Sequence, residues 1–144
     1  QLLITILEPP EPPAGKPSLF ITNDTSITIF WSGTTYDGGS AVIGYAIEMQ
    51  QNNSDWKIIS NLCKNNTFVT NNLTTNHHYA FRVRAINDIG VSQPSIPSDT
   101  IQLVQLNCEN QLNDLESVKV RTIMALTDLY EVKEEVGRFV QSYY

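Results

Sequence analysis

The sequence predicts an all-β sandwich over roughly residues 14–103, and three observations point to it. Short runs rich in β-branched and aromatic residues recur between turn residues, at the spacing of a domain built from two packed sheets. Apolar and polar side chains alternate within the runs, the period of a strand that buries one face. No helical period interrupts them between Ser18 and Leu103.

Residues 1–7, Gln-Leu-Leu-Ile-Thr-Ile-Leu, alternate in the manner of a strand, with Leu3, Thr5 and Leu7 on one face and Leu2, Ile4 and Ile6 on the other. One strand cannot stand alone, so this segment reads as the last strand of a preceding domain. Residues 8–13, Glu-Pro-Pro-Glu-Pro-Pro, read as a stiff linker. Closely spaced prolines fix φ and delete amide donors, favouring a polyproline II path of about 3.1 Å per residue. A ligand for an SH3-like domain is the functional alternative, and a rigid interdomain hinge is the commoner use of such a stretch.

Seven runs follow: Ser18 to Thr22, Ser26 to Trp31, Ile43 to Gln50, Trp56 to Ser60, Thr67 to Asn71, Tyr79 to Asn87 and, less regularly, Gly90 to Leu103. Alternation selects the core face of each. Ile27, Ile29 and Trp31 share a face in the second run, and Ile43, Tyr45, Ile47 and Met49 in the third. In the sixth, Tyr79, Phe81, Val83 and Ala85 alternate with Arg82 and Arg84, giving one apolar and one charged face. Turn signals separate the runs: Asp37-Gly38-Gly39, Asn52-Asn53-Ser54-Asp55, Asn76, and Asn87-Asp88-Ile89-Gly90.

The 144 residues suffice for one ordinary domain with a core, plus flanking segments. A net charge of −6, with Lys and Arg totalling 9, offers no basic field, so nucleic acid and anionic membrane are excluded as partners and protein surfaces remain. No stretch reaches the ~20 apolar residues of a membrane span, and the opening residues lack the basic and small-residue pattern of a signal peptide. The chain is expected to be soluble, or a piece of something longer. Cys63 and Cys108 lie far apart in dissimilar contexts and read as free thiols in a reducing compartment; without a nearby His they make a poor zinc set. The Asn-x-Ser/Thr triplets at Asn23, Asn52, Asn65 and Asn72 argue for a secreted protein instead, although chance supplies such triplets in a chain rich in Asn and Thr.

Several spaced positions together resemble a fibronectin type III domain: Trp31, Tyr45, Leu73 six residues before Tyr79, the segment Tyr79 to Asn87, and Gly90-Val-Ser-Gln-Pro-Ser95. The resemblance implies a seven-stranded, immunoglobulin-like β-sandwich with flexible flanking segments. Trp31, Tyr45, Leu73, Tyr79, Phe81 and Val83 would be its structural core. Trp31 would fill the space between the sheets, and Tyr79 would be a tyrosine-corner residue whose hydroxyl bonds to backbone near Leu73.

Beyond the domain, Val120-Arg-Thr-Ile123 and Asp128 to Gly137 resemble the linker and opening strand of a kinase of the myosin light-chain kinase, twitchin and titin group. In that group an immunoglobulin-like domain, a fibronectin type III domain and a kinase follow one another. The resemblance implies that residues 1–7 end an immunoglobulin-like domain, 8–13 are linker, 14–103 are the fibronectin type III domain, 104–128 are a second linker and 129–144 begin a kinase-like domain with a divergent tail. A kinase glycine loop needs G-x-G-x-x-G, but Phe139 and Ser142 stand where the second and third glycines belong after Gly137. No phosphoryl transfer and no cofactor are therefore expected. Residues 107–144 are expected to be largely disordered, although Leu112, Leu115, Val118, Ile123 and Leu126 partly fit a helical stripe.

Other constellations are weaker. His77 and His78, adjacent in a strand, would point to opposite faces and could not chelate one ion together. Asp37 with Glu48, or Asp88 with Asp99, lack a nucleophile to work with. Arg82 and Arg84 form a candidate partner-binding patch, weighed against a plain solvated strand face. The resulting expectation is a non-catalytic, monomeric, cytoplasmic module of a muscle or cytoskeletal kinase-type protein. Its partners would be neighbouring immunoglobulin-like and kinase domains and the actin or myosin filament. The alternative is an extracellular adhesion or receptor fragment of the same fold.

Overall fold

A computed structural model describes residues 1–105. Seven strands succeed one another: β1 (Ser18–Asn23), β2 (Ser26–Phe30), β3 (Gly44–Gln51), β4 (Lys57–Cys63), β5 (Thr67–Thr70), β6 (His78–Ile86) and β7 (Ile101–Gln102). They form two antiparallel sheets, β1-β2-β5 and β4-β3-β6-β7, the all-β sandwich that the alternation predicts. The second linker beyond residue 105, Cys108, the partial helical stripe and the kinase-like segment lie outside the described residues.

The core is the meeting of the two inner faces. Ile27 and Ile29 of β2, Ile47 of β3, and Phe81, Val83 and Ala85 of β6 are fully buried, with Tyr79 and Leu103 beside them. Trp31, just past β2, meets Tyr45 edge to face, ring centroids 5.5 Å apart and planes at 71°. This is the arrangement that aromatic quadrupoles favour. At the other end the Tyr79 hydroxyl accepts from Thr74 N at 2.9 Å and donates to Thr74 O at 3.1 Å, while Leu73 N donates to Thr25 O. The corner between β5 and β6 is thereby tied to the turn between β1 and β2.

Three details depart from the sequence reading. Ile43 precedes β3 and is 43% exposed, so it does not share the buried face of Tyr45 and Ile47. Its amide instead donates to Ile86 O at 2.8 Å, at the end of the ladder. Residues 1–7 pair with neither sheet, and Leu2, Leu3, Ile4 and Ile6 are exposed. The seventh run contains only two strand residues, because most of it pairs with β6 in another way.

Ser92, Ser95 and Ser98 donate their amides to the carbonyls of Ala85, Val83 and Phe81 at 2.8–2.9 Å. Their hydroxyls accept from the amides of the same three β6 residues at 2.9–3.1 Å. Each serine thus satisfies a donor and an acceptor of one β6 residue, and all three serines are buried. A serine recurring every third residue matches a β6 residue recurring every second. The edge of β6 is saturated by a chain that is not itself a strand, which removes a template for edge-to-edge aggregation.

Two substitutions separate packing from hydrogen bonding in this core. Tyr79→Phe keeps the ring and deletes the hydroxyl bonds to Thr74, and should lower the unfolding free energy by about 1–3 kcal/mol. Trp31→Ala removes the ring itself and should cost about 3–5 kcal/mol, both read by urea denaturation.

Candidate functional site

Two surface arrangements are organised beyond what the core requires. The first is the proline-rich segment, which does not stand away from the sandwich. Its amide-bearing residues, Glu8, Glu11 and Ala14, are three apart, and polyproline II turns once every three residues, so these donors share one edge. All three donate to the loop between β2 and β3: Glu8 N to Gly38 O at 3.0 Å, Glu11 N to Tyr36 O at 2.9 Å and Ala14 N to Gly33 O at 3.0 Å. Pro10 and Pro13 are buried, and Pro13 forms a bridge with Thr34.

Asn87, 3% exposed, locks this contact. Its Nδ2 donates to Glu8 O at 2.7 Å and Asp37 O at 2.8 Å, and its Oδ1 accepts from Ile89 N and Gly90 N. One side chain therefore joins the amino-terminal segment, the β2–β3 loop and the turn after β6. Two glycines make the approach possible. Gly38 has φ +78°, and a Cβ there would fall on the Glu8 carbonyl; a Cβ on Gly90 would meet Pro9 Cγ at 3.1 Å.

The second arrangement lies on the outer face of the four-stranded sheet. Glu48 of β3, 6% exposed, accepts from Nε of Arg82 and from Nε of Arg84, the latter at 2.8 Å. Register explains the meeting: Glu48 stands directly opposite Arg82 on β6, with Arg84 the next residue along the same face. Arg84 also donates to Ser92 O at 3.1 Å, and the Arg82 guanidinium lies 4.4 Å from the ring centroid of Trp56. This stacking is electrostatically favourable.

The residues singled out in the sequence fall as follows. Trp31, Tyr45, Leu73, Tyr79, Phe81 and Val83 are buried in the core. Arg82 and Arg84 share the outer sheet face but are only 20% and 26% exposed, so they are tethered rather than freely solvated. Glu48 does not face Asp37; it belongs to the arginines, while Asp37 Oδ1 caps Gly39 N. Asp99 pairs with Lys16 at 2.7 Å, an exposed contact beside a shallow cleft of about 340 Å³ between β1 and β7. His77 Nδ1 lies 2.9 Å from Thr75 O, and His78 N donates to Asn52 Oδ1. Cys63 is a free thiol directed at the carbonyls of Asn65 and Thr67. Among the described residues no cluster of three or more His, Cys, Asp or Glu could hold a metal ion. The sequence reading took Asn87 only as a turn residue and Glu48 only as a candidate partner of Asp37, and so missed the lock and the arginine cluster; the triplet spacing of Glu8, Glu11 and Ala14 is the signal that could have revealed the docked segment.

Comparison with known proteins agrees with this geometry. The model of the fibronectin type III domain matches residues 12–101. The chain is 31% identical over 153 aligned residues to smooth-muscle myosin light chain kinase of Gallus gallus, covering 95% of this chain and 8% of that protein. It is 30% identical to slow-type myosin-binding protein C of Homo sapiens, covering 83% of this chain and 11% of that protein. It thus spans about a tenth of the length of these relatives. Among solved structures, the twitchin kinase region from C. elegans superposes with a TM-score of 0.63 at 26% identity, over 67% of this chain and 17% of that one. A titin module from human cardiac muscle does so with a TM-score of 0.60 at 33% identity, over 67% of this chain and 95% of that one.

Removing the lock should release the segment. Asn87→Ala strands the Glu8 and Asp37 carbonyls and should lower stability by about 1–3 kcal/mol. Amide exchange at Glu8 and Glu11 should accelerate more than exchange within β6, as read by hydrogen–deuterium exchange.

Proposed function

We propose that this chain, which belongs to the fibronectin type III family, is a non-catalytic interaction and spacer module of an intracellular muscle or cytoskeletal kinase-type protein. Likeness to the light chain kinase, to myosin-binding protein C and to the twitchin kinase region supports that setting. In it, residues 1–7 would close an upstream immunoglobulin-like domain and residues 129–144 would open a kinase-like one, with the actin or myosin filament within reach.

The observation that carries the reading is the anchored segment. A spacer that sets orientation must fix the direction in which the chain leaves it, and a flexible tether does not. Glu8 to Ala14 combine a proline-stiffened backbone, three donated amides and the Asn87 lock, so the direction of the segment is set by the sandwich. The mechanism is steric and mechanical: rotation of whatever precedes residue 8 is resisted by bonds to the β2–β3 loop.

A second reading, an extracellular adhesion module, is favoured by the four Asn-x-Ser/Thr triplets. Three of those asparagines also serve the backbone. Asn52 and Asn72 adopt φ of 49° and 58°, and Asn23 Oδ1 accepts from Thr25 N at 2.9 Å. Their presence therefore has a conformational cause independent of glycans.

Backbone ¹⁵N relaxation on the whole chain tests the leading reading. The amides of Glu8, Glu11 and Ala14 should show order parameters near those of β6, about 0.85, and fall toward about 0.6 in Asn87→Ala. Values already low in the unsubstituted chain would defeat the orienting role.

A further inference from the structure

We propose that the outer face of the β4-β3-β6 sheet, centred on Arg82 and Arg84, docks a protein partner presenting an Asp or Glu carboxylate between aliphatic side chains. This surface is distinct from the anchored amino-terminal segment, so either proposal can fail without the other.

The chemistry of the occupant follows from what the face leaves unspent. Two guanidiniums share one carboxylate, so the cluster of Glu48, Arg82 and Arg84 keeps a positive charge. Arg82 donates only through Nε, and Arg84 through Nε and one terminal nitrogen. The remaining terminal nitrogens have no hydrogen-bond partner among the described residues and are not sealed from solvent, and a guanidinium offers its donors in a planar fork suited to a carboxylate. Trp56 and Glu48 hold that fork in place, so binding would cost less side-chain entropy than on a free arginine.

The surroundings are apolar. Ile58 stands opposite Glu48 and is 59% exposed. Val91 bridges Ile86, and Ile86 pairs with Gly44. Leu62 overhangs Gly44, where its Cδ1 lies within 2.6 Å of the place a Cβ would occupy. Leu62 and Val91 are about half exposed, at 49% and 51%. Directly paired residues share a face, so these side chains flank the arginines on the same surface. Arginine and tryptophan ringed by aliphatic residues is the composition in which interface energy concentrates.

Charge complementarity selects the acidic occupant over a basic one, and the flanking Ile58, Leu62 and Val91 select carboxylates set among aliphatic residues over a fully charged surface. The chain as a whole is acidic, at −6, so attraction is short-range and arises at contact rather than from the overall field. Four adjacent chain segments span about 15 Å and about six residues of strand run about 20 Å, a patch of roughly 300 Å², well short of the ~800 Å² that each partner of a standard interface contributes. The contact is therefore weak and reversible unless it is one of several.

An NMR titration of the labelled 144-residue chain with two peptides decides the matter. One carries Glu flanked by Leu and Val; the other is identical but with Lys for Glu. The acidic peptide should shift the Nε–H resonances of Arg82 and Arg84 and the methyls of Ile58 and Leu62, and the basic peptide should leave them in place. Arg84→Gln should weaken the acidic peptide about tenfold. Glu48→Gln, which removes the competing carboxylate and keeps its shape, should strengthen it several-fold, a change of sign that a purely structural ion cluster would not produce. Equal response to both peptides, no response, or response at Phe20, Phe30 and Val69 on the opposite sheet would overturn the proposal. Movement of the same resonances with protein concentration alone would overturn it too, by making a second copy the occupant.

Discussion

Every backbone polar group of β6 must be satisfied while its two faces are put to different uses, and the rest of the molecule is arranged around that requirement. On one side β3 supplies a ladder in continuous register from Gly44 opposite Ile86 to Gln51 opposite Tyr79. On the other, a regular strand occupies only His78 and Tyr79. The groups of Phe81, Val83 and Ala85 are met instead by Ser98, Ser95 and Ser92, amide and hydroxyl together. With its edge closed, β6 can bury Tyr79, Phe81, Val83 and Ala85 inward and turn Arg82 and Arg84 outward. Its end delivers Asn87 to the point where three segments converge.

Which parts of this were legible follows from the range of the interaction concerned. Alternation is local, so the buried face of β6 and the pair Ile27 and Ile29 could be read directly. Asn-rich turns were legible for the same reason: Asn52, Asn53 and Asn76 adopt positive φ, which Asn tolerates better than most residues. The segment from Gly90 to Leu103 resisted reading because its serines recur in threes while strand patterning runs in twos. Ile43 was misplaced because alternation does not say where a strand starts, and its amide closes the ladder one residue before β3 begins.

Relations across the chain were hidden for a different reason. Prolines told the path of residues 8–13 but not its partner, since the carbonyls that receive Glu8, Glu11 and Ala14 belong to Gly38, Tyr36 and Gly33, in a loop far along the chain. Glu48 could be placed on the outward face of its strand by alternation, yet which charges stand opposite depends on the β3–β6 register. That register is set by the whole ladder and by the turns, and a shift of one residue would have placed Glu48 beside apolar Phe81 or Val83.

The cluster on the outer sheet face also has a blander interpretation, that its charges keep an apolar face soluble, as edge and surface charges commonly do. The geometry argues against solubility as its whole purpose. Solubilising charges work by being hydrated, whereas Glu48 is 6% exposed and both arginines are mostly covered. Nor does stability require them, because an ion cluster partly withdrawn from water loses much of its Coulombic gain to desolvation, and apolar replacements of like volume are often no less stable. What the arrangement does achieve is immobility. Two guanidiniums are held by a shared carboxylate, an indole and a backbone carbonyl, with terminal donors left unpartnered and not sealed from solvent. Fixed, incompletely paired donors set among aliphatic side chains gain more from a matching carboxylate than from water, which can hydrate the arginines but not the aliphatic rim.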